Sequence, residues 1–253
     1  MKNNQKKERT SIAKMFDNIA WRYDFLNHFL SFNIDKRWRN KAVNELRNIT
    51  TLNHVLDVAT GTADLALAIQ KHINPKHITG IDISEGMLTI GRQKVQKRGL
   101  EHQISLLYAD SEALPFDEQT FDAVTVAFGV RNFENLEKGL NEMCRTLKIG
   151  GKVVILEFSI PQNRIIRPVF QFYFLRILPF FGRLLSKNPS PALPEGEGVN
   201  YVNAYQYLPE SVQSFPHGTE FKEIMEKCGF SEVRIKPLTF GIVNIYTGMR
   251  GEK

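Results

Sequence analysis

Between residues 53 and 158 the chain alternates short apolar runs with stretches whose apolar residues recur at helical spacing. Apolar runs bounded by polar turns read as strands buried on both faces, and the 3.6-residue periodicity between them reads as helices that cover those faces. The pattern predicts strands at His54 to Ala59, His77 to Asp82, Ile104 to Tyr108, Ala123 to Phe128 and Lys152 to Phe158, with helices near 63–72, 84–98 and 134–147. In the last helix Leu136, Leu140, Met143 and Leu147 share one stripe, which should face the sheet, and Cys144 beside it reads as core packing. Such alternation implies an α/β fold around a parallel sheet. Further on, a helix near 219–228 precedes two strand-like runs, Ser231 to Lys236 and Ile242 to Met249, close enough to pair as an antiparallel hairpin at the sheet edge.

The flanks are patterned differently. Residues 10–48 read as aromatic-rich helices carrying Phe16, Trp21, Tyr23, Phe25, Phe29, Phe32 and Trp38, and 163–186 is rich in both aromatics and arginine. Arginines, Pro168 and Pro179 interrupt that second stretch well short of the ~20 apolar residues a membrane crossing needs, which leaves two readings of equal weight, an amphipathic cap over a greasy substrate or an ordinary buried helix with solvated arginines. Asn188 to Gly198 is crowded with proline, glycine and glutamate and almost devoid of apolar residues, which predicts an exposed insertion without chemistry. The expected organisation is a helical substrate-side cap over 1–48 and a main domain over 49–253, with an aromatic cap insertion at 163–215 that contains the 188–198 loop.

Composition narrows the functional classes. With 253 residues, 42% hydrophobic and 24% charged, the chain can bury a core and is not intrinsically disordered. The net charge of +6 is local: Lys2, Lys6, Lys7 and Arg9 stand against one Glu8, and Arg164, Arg167, Arg176 and Arg183 have no acid between them. The rest is close to neutral, which argues against a basic nucleic-acid-binding face. Two cysteines can build neither a disulfide framework nor a thiolate zinc site, the six histidines are scattered, and no apolar leader run opens the sequence. A reducing cytoplasm and no metal are expected.

The chemistry concentrates at the end of the first strand, VLDVATGTADLA. Asp57 lies in the strand, Gly61 at the turn, and Thr62 and Asp64 open the helix, at the edge of a parallel sheet where α/β folds take up cofactors. The second strand ends in Asp82, roughly 20 residues past Gly61, a spacing that suits a carboxylate gripping ribose hydroxyls; the same aspartate would also serve as a cap for the helix beginning at Ser84. Ala59, Gly61 and Asp64 stand where a dinucleotide loop has its three glycines, and the nearby carboxylates would repel a pyrophosphate. A ligand with a ribose, an amine and a cationic sulfur but no phosphate fits better. That is S-adenosylmethionine, with Asp110 and Ser111 at the third strand end positioned for its adenine.

The chain resembles the menaquinone/ubiquinone-biosynthesis C-methyltransferases. The resemblance is carried by Tyr23-Asp24, Asn27, Ser31 and Trp38, by Phe128-Gly129-Val130-Arg131-Asn132, by Pro179-Phe180-Phe181-Gly182, and by Tyr205-Gln206-Tyr207-Leu208 with Glu210-Ser211. Ile149 before the glycine pair, where the family usually has proline, and the 188–198 insertion are departures. The resemblance implies a class I S-adenosylmethionine-dependent methyltransferase fold, Rossmann-like with an antiparallel C-terminal edge and helical cap elements. It implies C-methylation of a polyprenylated quinol ring, foremost demethylmenaquinol to menaquinol, or else a benzoquinol acceptor. Cofactor contacts carry over to Thr62, Asp82, Asp110 and Ser111 beside Asp57 and Gly61, and Tyr23 and Tyr207 are expected in the substrate pocket. Arg131 is expected to stabilise the ring oxyanion and Asn132 to hold a hydroxyl or water. A greasy substrate would also suit peripheral membrane contact through the arginine-rich stretch, at the inner face of the membrane. Association with a second copy stays open.

Two rival classes remain in view. A nucleic-acid amino-methyltransferase would carry an Asp/Asn-Pro-Pro-aromatic motif where FGVRN stands, and a cytosine C5 enzyme a Pro-Cys pair, which neither Cys144 nor Cys228 supplies. A non-catalytic cofactor-binding subunit of a quinone-biosynthesis complex would share every cofactor residue and is separated only by turnover.

Overall fold

The computed structural model describes residues 13–17, 20, 24, 28, 31, 33–177 and 201–252, with the side chains of 201–206 excepted. Tyr23, the Pro179–Gly182 motif and the 188–198 insertion lie outside the described residues. The elements in order are α1 (Ile34–Asn44), β1 (His54–Val58), α2 (Asp64–His72), β2 (His77–Asp82), α3 (Glu85–Gln96), β3 (Ile104–Tyr108), β4 (Phe121–Ala127), α4 (Leu136–Thr146), β5 (Leu147–Phe158), α5 (Ile166–Phe172), α6 (Tyr201–Ser214), α7 (Thr219–Lys227), β6 (Phe230–Leu238) and β7 (Val243–Arg250).

The strands form one seven-stranded sheet in the order β3-β2-β1-β4-β5-β7-β6. Pairings among the first five are parallel, and β7 joins antiparallel to β5 and to β6. The order reverses between β1 and β4, so the loops after those strands splay apart and leave a crevice at their carboxyl ends. The edge strand β6 accommodates Pro237 because its outer N–H positions need no partner.

Alternation along the strands divides the core. Leu56, Val124, Val153 and Ile155 pack with Leu140 and Met143 of α4 and Phe221 and Met225 of α7 on one face. Val55, Ala123, Val154 and Leu156 pack with Trp38, Ala42 and Val43 of α1, Leu65 and Ile69 of α2 and Leu88 of α3 on the other. Trp38, Ala42 and Val43 therefore share a core with the sheet, so α1 is part of the sandwich. Cys144 is buried, and Leu140, Met143 and Leu147 of the stripe are fully so. Among the described residues no helix is long and apolar enough to cross a membrane.

Boundaries shift where the backbone is irregular. β5 begins at Leu147, not Lys152, because Leu147 pairs with Phe121 across an irregularity in the β4–β5 register. Gly150 in the left-handed region (φ +72°) lets the chain turn back into line with no side chain to clash. β1 ends at Val58 and β4 at Ala127, each one residue early, because Ala59 (φ +52°) and Phe128 (φ +59°) leave the extended conformation. Non-glycine residues in that region carry strain of order 1–3 kcal/mol, and both residues line the cleft at the carboxyl ends of the strands.

Candidate active site

A cleft with an empty volume of about 800 Å3, part of it open to solvent, lies at the carboxyl ends of β1, β2, β3 and β4. Ala59, Gly61 and Gly129 line it, with Asp82 on one side and Asp110 and Ser111 beyond. Gly61 (φ +55°) opens to space on its Cβ side, whereas a Cβ at Gly129 would lie 2.6 Å from Ala59 Cβ. Ala59 and Gly129 thus meet at a distance only glycine permits.

Asp82 is held from both ends. Its Oδ2 accepts the Gly61 N–H at 2.8 Å and its Oδ1 the Ser84 N–H at 2.9 Å. Each oxygen retains a lone pair for a hydroxyl donor. Burial, opposed by those N–H groups and reinforced by the like charge of Asp17, pushes its pKa up to about 6. Helix capping falls to Ser84 itself, whose Oγ accepts the Met87 N–H. Asp82 therefore organises the turn and faces the cleft at once.

Asp57 and Thr62 are not among the residues that line the cleft. Asp57 is buried beneath the loop, accepting from Thr60 Oγ1 at 2.6 Å and Thr125 Oγ1 at 2.8 Å, and burial pushes its pKa up to about 6 as well. It pins the turn from below. Thr62 turns away: its Oγ1 donates to Asp24 Oδ1 at 2.5 Å and accepts from Lys94 Nζ at 2.9 Å. Lys94 also pairs with Asp24 and Asp64, and Arg39 reaches Asp35 and Asp64, so a charged network lies behind the loop, joining it to the N-terminal segment.

The turn after β4 carries the other candidates. Asn132 lines the cleft, and its Oδ1 accepts the Tyr207 hydroxyl at 3.0 Å, which joins α6 to this turn. Arg131 belongs to the same turn. It is not among the cleft-lining residues; its Nη1 donates to Glu157 Oε1 at 2.9 Å and to Phe128 O at 2.5 Å, and the guanidinium lies 5.6 Å from the Phe158 ring centroid. A carboxylate as buried as Glu157 demands a counter-charge, and the side chain of Arg131 folds inward to supply it. Burial still pushes Glu157 above its ordinary range, with Arg131 opposing. Among the described residues, buried Arg131 Nε has no hydrogen-bond partner. His217 is a turn residue whose Nδ1 lies 3.1 Å from Phe215 O.

Three participants were not anticipated from the residue pattern. Phe16 lines the cleft, and Asp17 Oδ1 accepts from Ser84 Oγ at 2.6 Å and Gly86 N at 2.9 Å, seating the N-terminal segment over the cofactor side. Nothing local in the sequence announces that contact. Glu157, by contrast, leaves a signal: a lone carboxylate in the apolar run VVILEF. Among the described residues no cluster could hold a metal ion.

The site suits S-adenosylmethionine on its own geometry: an acceptor pair at Asp82, a glycine-lined floor, apolar walls from Ile83, Ala109 and Phe133, and Asp110 with Ser111 at the far end. Solved structures with the same architecture include a SAM dependent methyltransferase from Aquifex aeolicus (TM-score 0.56, 19% identity, 83% of this chain and 89% of that one). Phosphoethanolamine N-methyltransferase 2 of Haemonchus contortus, in complex with S-adenosyl-L-methionine, matches at TM-score 0.60 and 15% identity over 84% of this chain and 52% of that one. Demethylmenaquinone methyltransferase of Bacteroides fragilis is 44% identical over 98% of this chain and 95% of its own. That of Thermus thermophilus is 45% identical over 93% and 100%. The ubiquinone/menaquinone biosynthesis C-methyltransferase UbiE of Geobacter sulfurreducens is 46% identical over 96% and 89%. A family model matches residues 2–250, and the chain, a class I methyltransferase in fold, belongs to the ubiE/COQ5 methyltransferase family.

Proposed function

We propose that this protein transfers a methyl group from S-adenosylmethionine to a ring carbon of a polyprenylated quinol, with demethylmenaquinol as the acceptor. The observation that carries the reading is the junction at the turn after β4: Phe128, Gly129 and Asn132 border the cofactor cleft, while Phe128 also opens a file of aromatic rings leading away from it. Phe128 lies 4.7 Å from Phe158, and Phe158 lies 6.0 Å from Phe174 of the cap, centroid to centroid. Such a file offers an apolar wall, beginning at the cleft, against which a ring and the start of a prenyl chain would pack.

When bound, S-adenosylmethionine supplies a methyl group made electrophilic by its sulfonium. Asp82 would hold the ribose by accepting hydrogen bonds from its hydroxyls, and Asp110 with Ser111 would orient the adenine. Asn132, its carbonyl oxygen engaged by Tyr207, keeps its amide N–H groups free to donate to the quinol oxygen as that oxygen gains charge. Arg131 acts at one remove: paired with Glu157 and bonded to Phe128 O, it fixes the turn that presents Asn132.

The test is the quinone pool of cells with and without the gene. Loss should accumulate the demethylated naphthoquinone, and this chain should restore the methylated one. An unchanged pool would overturn the reading, and a changed benzoquinone with an unchanged naphthoquinone would move the acceptor. Restoration by a variant unable to bind S-adenosylmethionine would identify a non-catalytic subunit.

A further inference from the structure

Among the described residues, the cap helix α5 and the π-helical turn that follows it, Tyr173–Ile177, dock through the face that carries Phe170 and Phe174. Phe170 and Phe174 are buried with Val212, beside Ile242. The other face shows Ile165, Val169 and Phe172 at 78%, 67% and 62% exposure. Arg164, Arg167 and Arg176 stand exposed around these side chains and pair with no carboxylate among the described residues. From Ser159 to Pro194 the sequence contains no acidic residue at all.

A second, discontinuous segment reaches the same end of the molecule. In the β6–β7 turn Phe240 is 74% exposed, with its backbone in the left-handed region (φ +58°), as is that of Thr239 (φ +47°). The turn is held by Trp38 Nε1 donating to Thr239 Oγ1 at 2.7 Å and by Ser159 N donating to Ile242 O at 2.9 Å, which places it against the segment leading into α5. A Cβ on Gly241 would lie 3.8 Å from Pro161 Cα. A strained turn that holds a phenyl ring in water loses free energy twice over, and the arrangement makes sense if the ring has an apolar destination.

We propose that Ile165, Val169, Phe172 and Phe240 form one docking surface for an anionic phospholipid bilayer, with Arg164, Arg167 and Arg176 at headgroup level. The commitment to a bilayer rests on charge complementarity with anionic headgroups, and on two segments combining apolar tips with a basic rim. It rests also on the proposed function, because the file from Phe174 through Phe158 to Phe128 runs from beneath this surface to the cleft. A prenylated quinol could then enter from the bilayer ring first.

The test is sedimentation of the full chain with vesicles of phosphatidylcholine alone and of phosphatidylcholine with phosphatidylglycerol. The chain should bind the anionic vesicles more tightly, with binding weakened by salt. Phe172→Ser with Phe240→Ser should lower the partition coefficient ~10-fold or more, and Arg167→Glu with Arg176→Glu should abolish the preference for anionic lipid. Each variant should keep the wild-type melting temperature and full turnover of a short-chain, water-soluble quinol analogue, while losing turnover of a long-chain quinol in vesicles. Unchanged vesicle binding by the variants, or a change only in oligomeric mass by light scattering, would overturn the docking surface. Failure of the wild type to methylate the short-chain analogue while it binds vesicles would count against the proposed function and leave the surface standing.

Discussion

Gly61 donates its backbone N–H to Asp82 Oδ2 at 2.8 Å, so the turn after β1 and the end of β2 are fastened by the same carboxylate that faces the cofactor cleft. Asp82→Ala should therefore loosen the turn as well as remove the hydroxyl acceptor. Charge-assisted hydrogen bonds are worth roughly 1.5–3 kcal/mol, and calorimetry should show S-adenosylmethionine binding weakened by about 10- to 100-fold. Asp82→Asn, which keeps an acceptor for Gly61 but loses the charge, should fall between. An unchanged affinity in the alanine variant would remove Asp82 from the site.

The raised pKa values give a pH signature. Asp57 and Asp82, both pushed up to about 6, are protonated more readily in the folded, ligand-free protein than in the unfolded chain. Their contribution to stability is fully present below the ordinary carboxylate value and is lost as pH rises through about 6. Asp35, Asp64, Asp122 and Glu142 are shifted downward, and their contribution is lost on acidification instead. The melting temperature of the ligand-free protein should thus pass through a maximum near pH ~4, the ordinary carboxylate value, and decline from there towards pH ~6. Ribose hydroxyls favour ionised Asp82, so cofactor affinity should rise between pH ~5 and ~7 and then level off, with proton release seen in buffers of different ionisation enthalpy. Affinity that falls over this range would contradict the assignment.

Arg131 and Glu157 form a buried pair, and breaking such a pair by removing one partner costs about 3–5 kcal/mol. Arg131→Ala and Glu157→Ala should each lower stability by an amount of that order, measured by denaturant unfolding, and the double variant by less than the sum. A stable Arg131→Ala protein with a specific loss of kcat would instead return Arg131 to direct contact with the quinol oxygen.

Tyr207 reaches Asn132 from α6 at 3.0 Å. Removing only its hydroxyl, in Tyr207→Phe, should lower kcat by about 10-fold with cofactor affinity unchanged, and Asn132→Ala should lower it by ~100-fold, the scale of one lost oxyanion donor. Equal losses of cofactor binding would show that the pair serves the fold.

Much of this architecture is legible in the residue pattern alone. β2 falls at the expected residues because it is an apolar run buried inside the parallel sheet, and β3 does so as well although it is the edge strand, with Leu107 and Tyr108 exposed. The hairpin of β6 and β7 follows from two short β-rich runs near one another in sequence. Gly61, Asp82, Asp110, Ser111 and Asn132 reach the cleft because strand ends in such a sheet share one edge. Side-chain direction is not legible in the same way. Thr62 and Arg131 belong to the right turns but point to charges contributed by distant segments, Asp24 and Lys94 in one case and Glu157 in the other. Asp17 is unreadable for the same reason, since its contact to Gly86 spans separate parts of the fold.

Methyl transfer to a ring carbon can be followed atom by atom. The purified protein is incubated with S-adenosylmethionine carrying a trideuterated methyl group and a reduced demethylmenaquinone, and the quinone is analysed by mass spectrometry and NMR. A C-methyltransferase should place one trideuteromethyl group on a ring carbon for each S-adenosylhomocysteine formed. Label found on oxygen, or S-adenosylhomocysteine formed with no labelled ring, would contradict it.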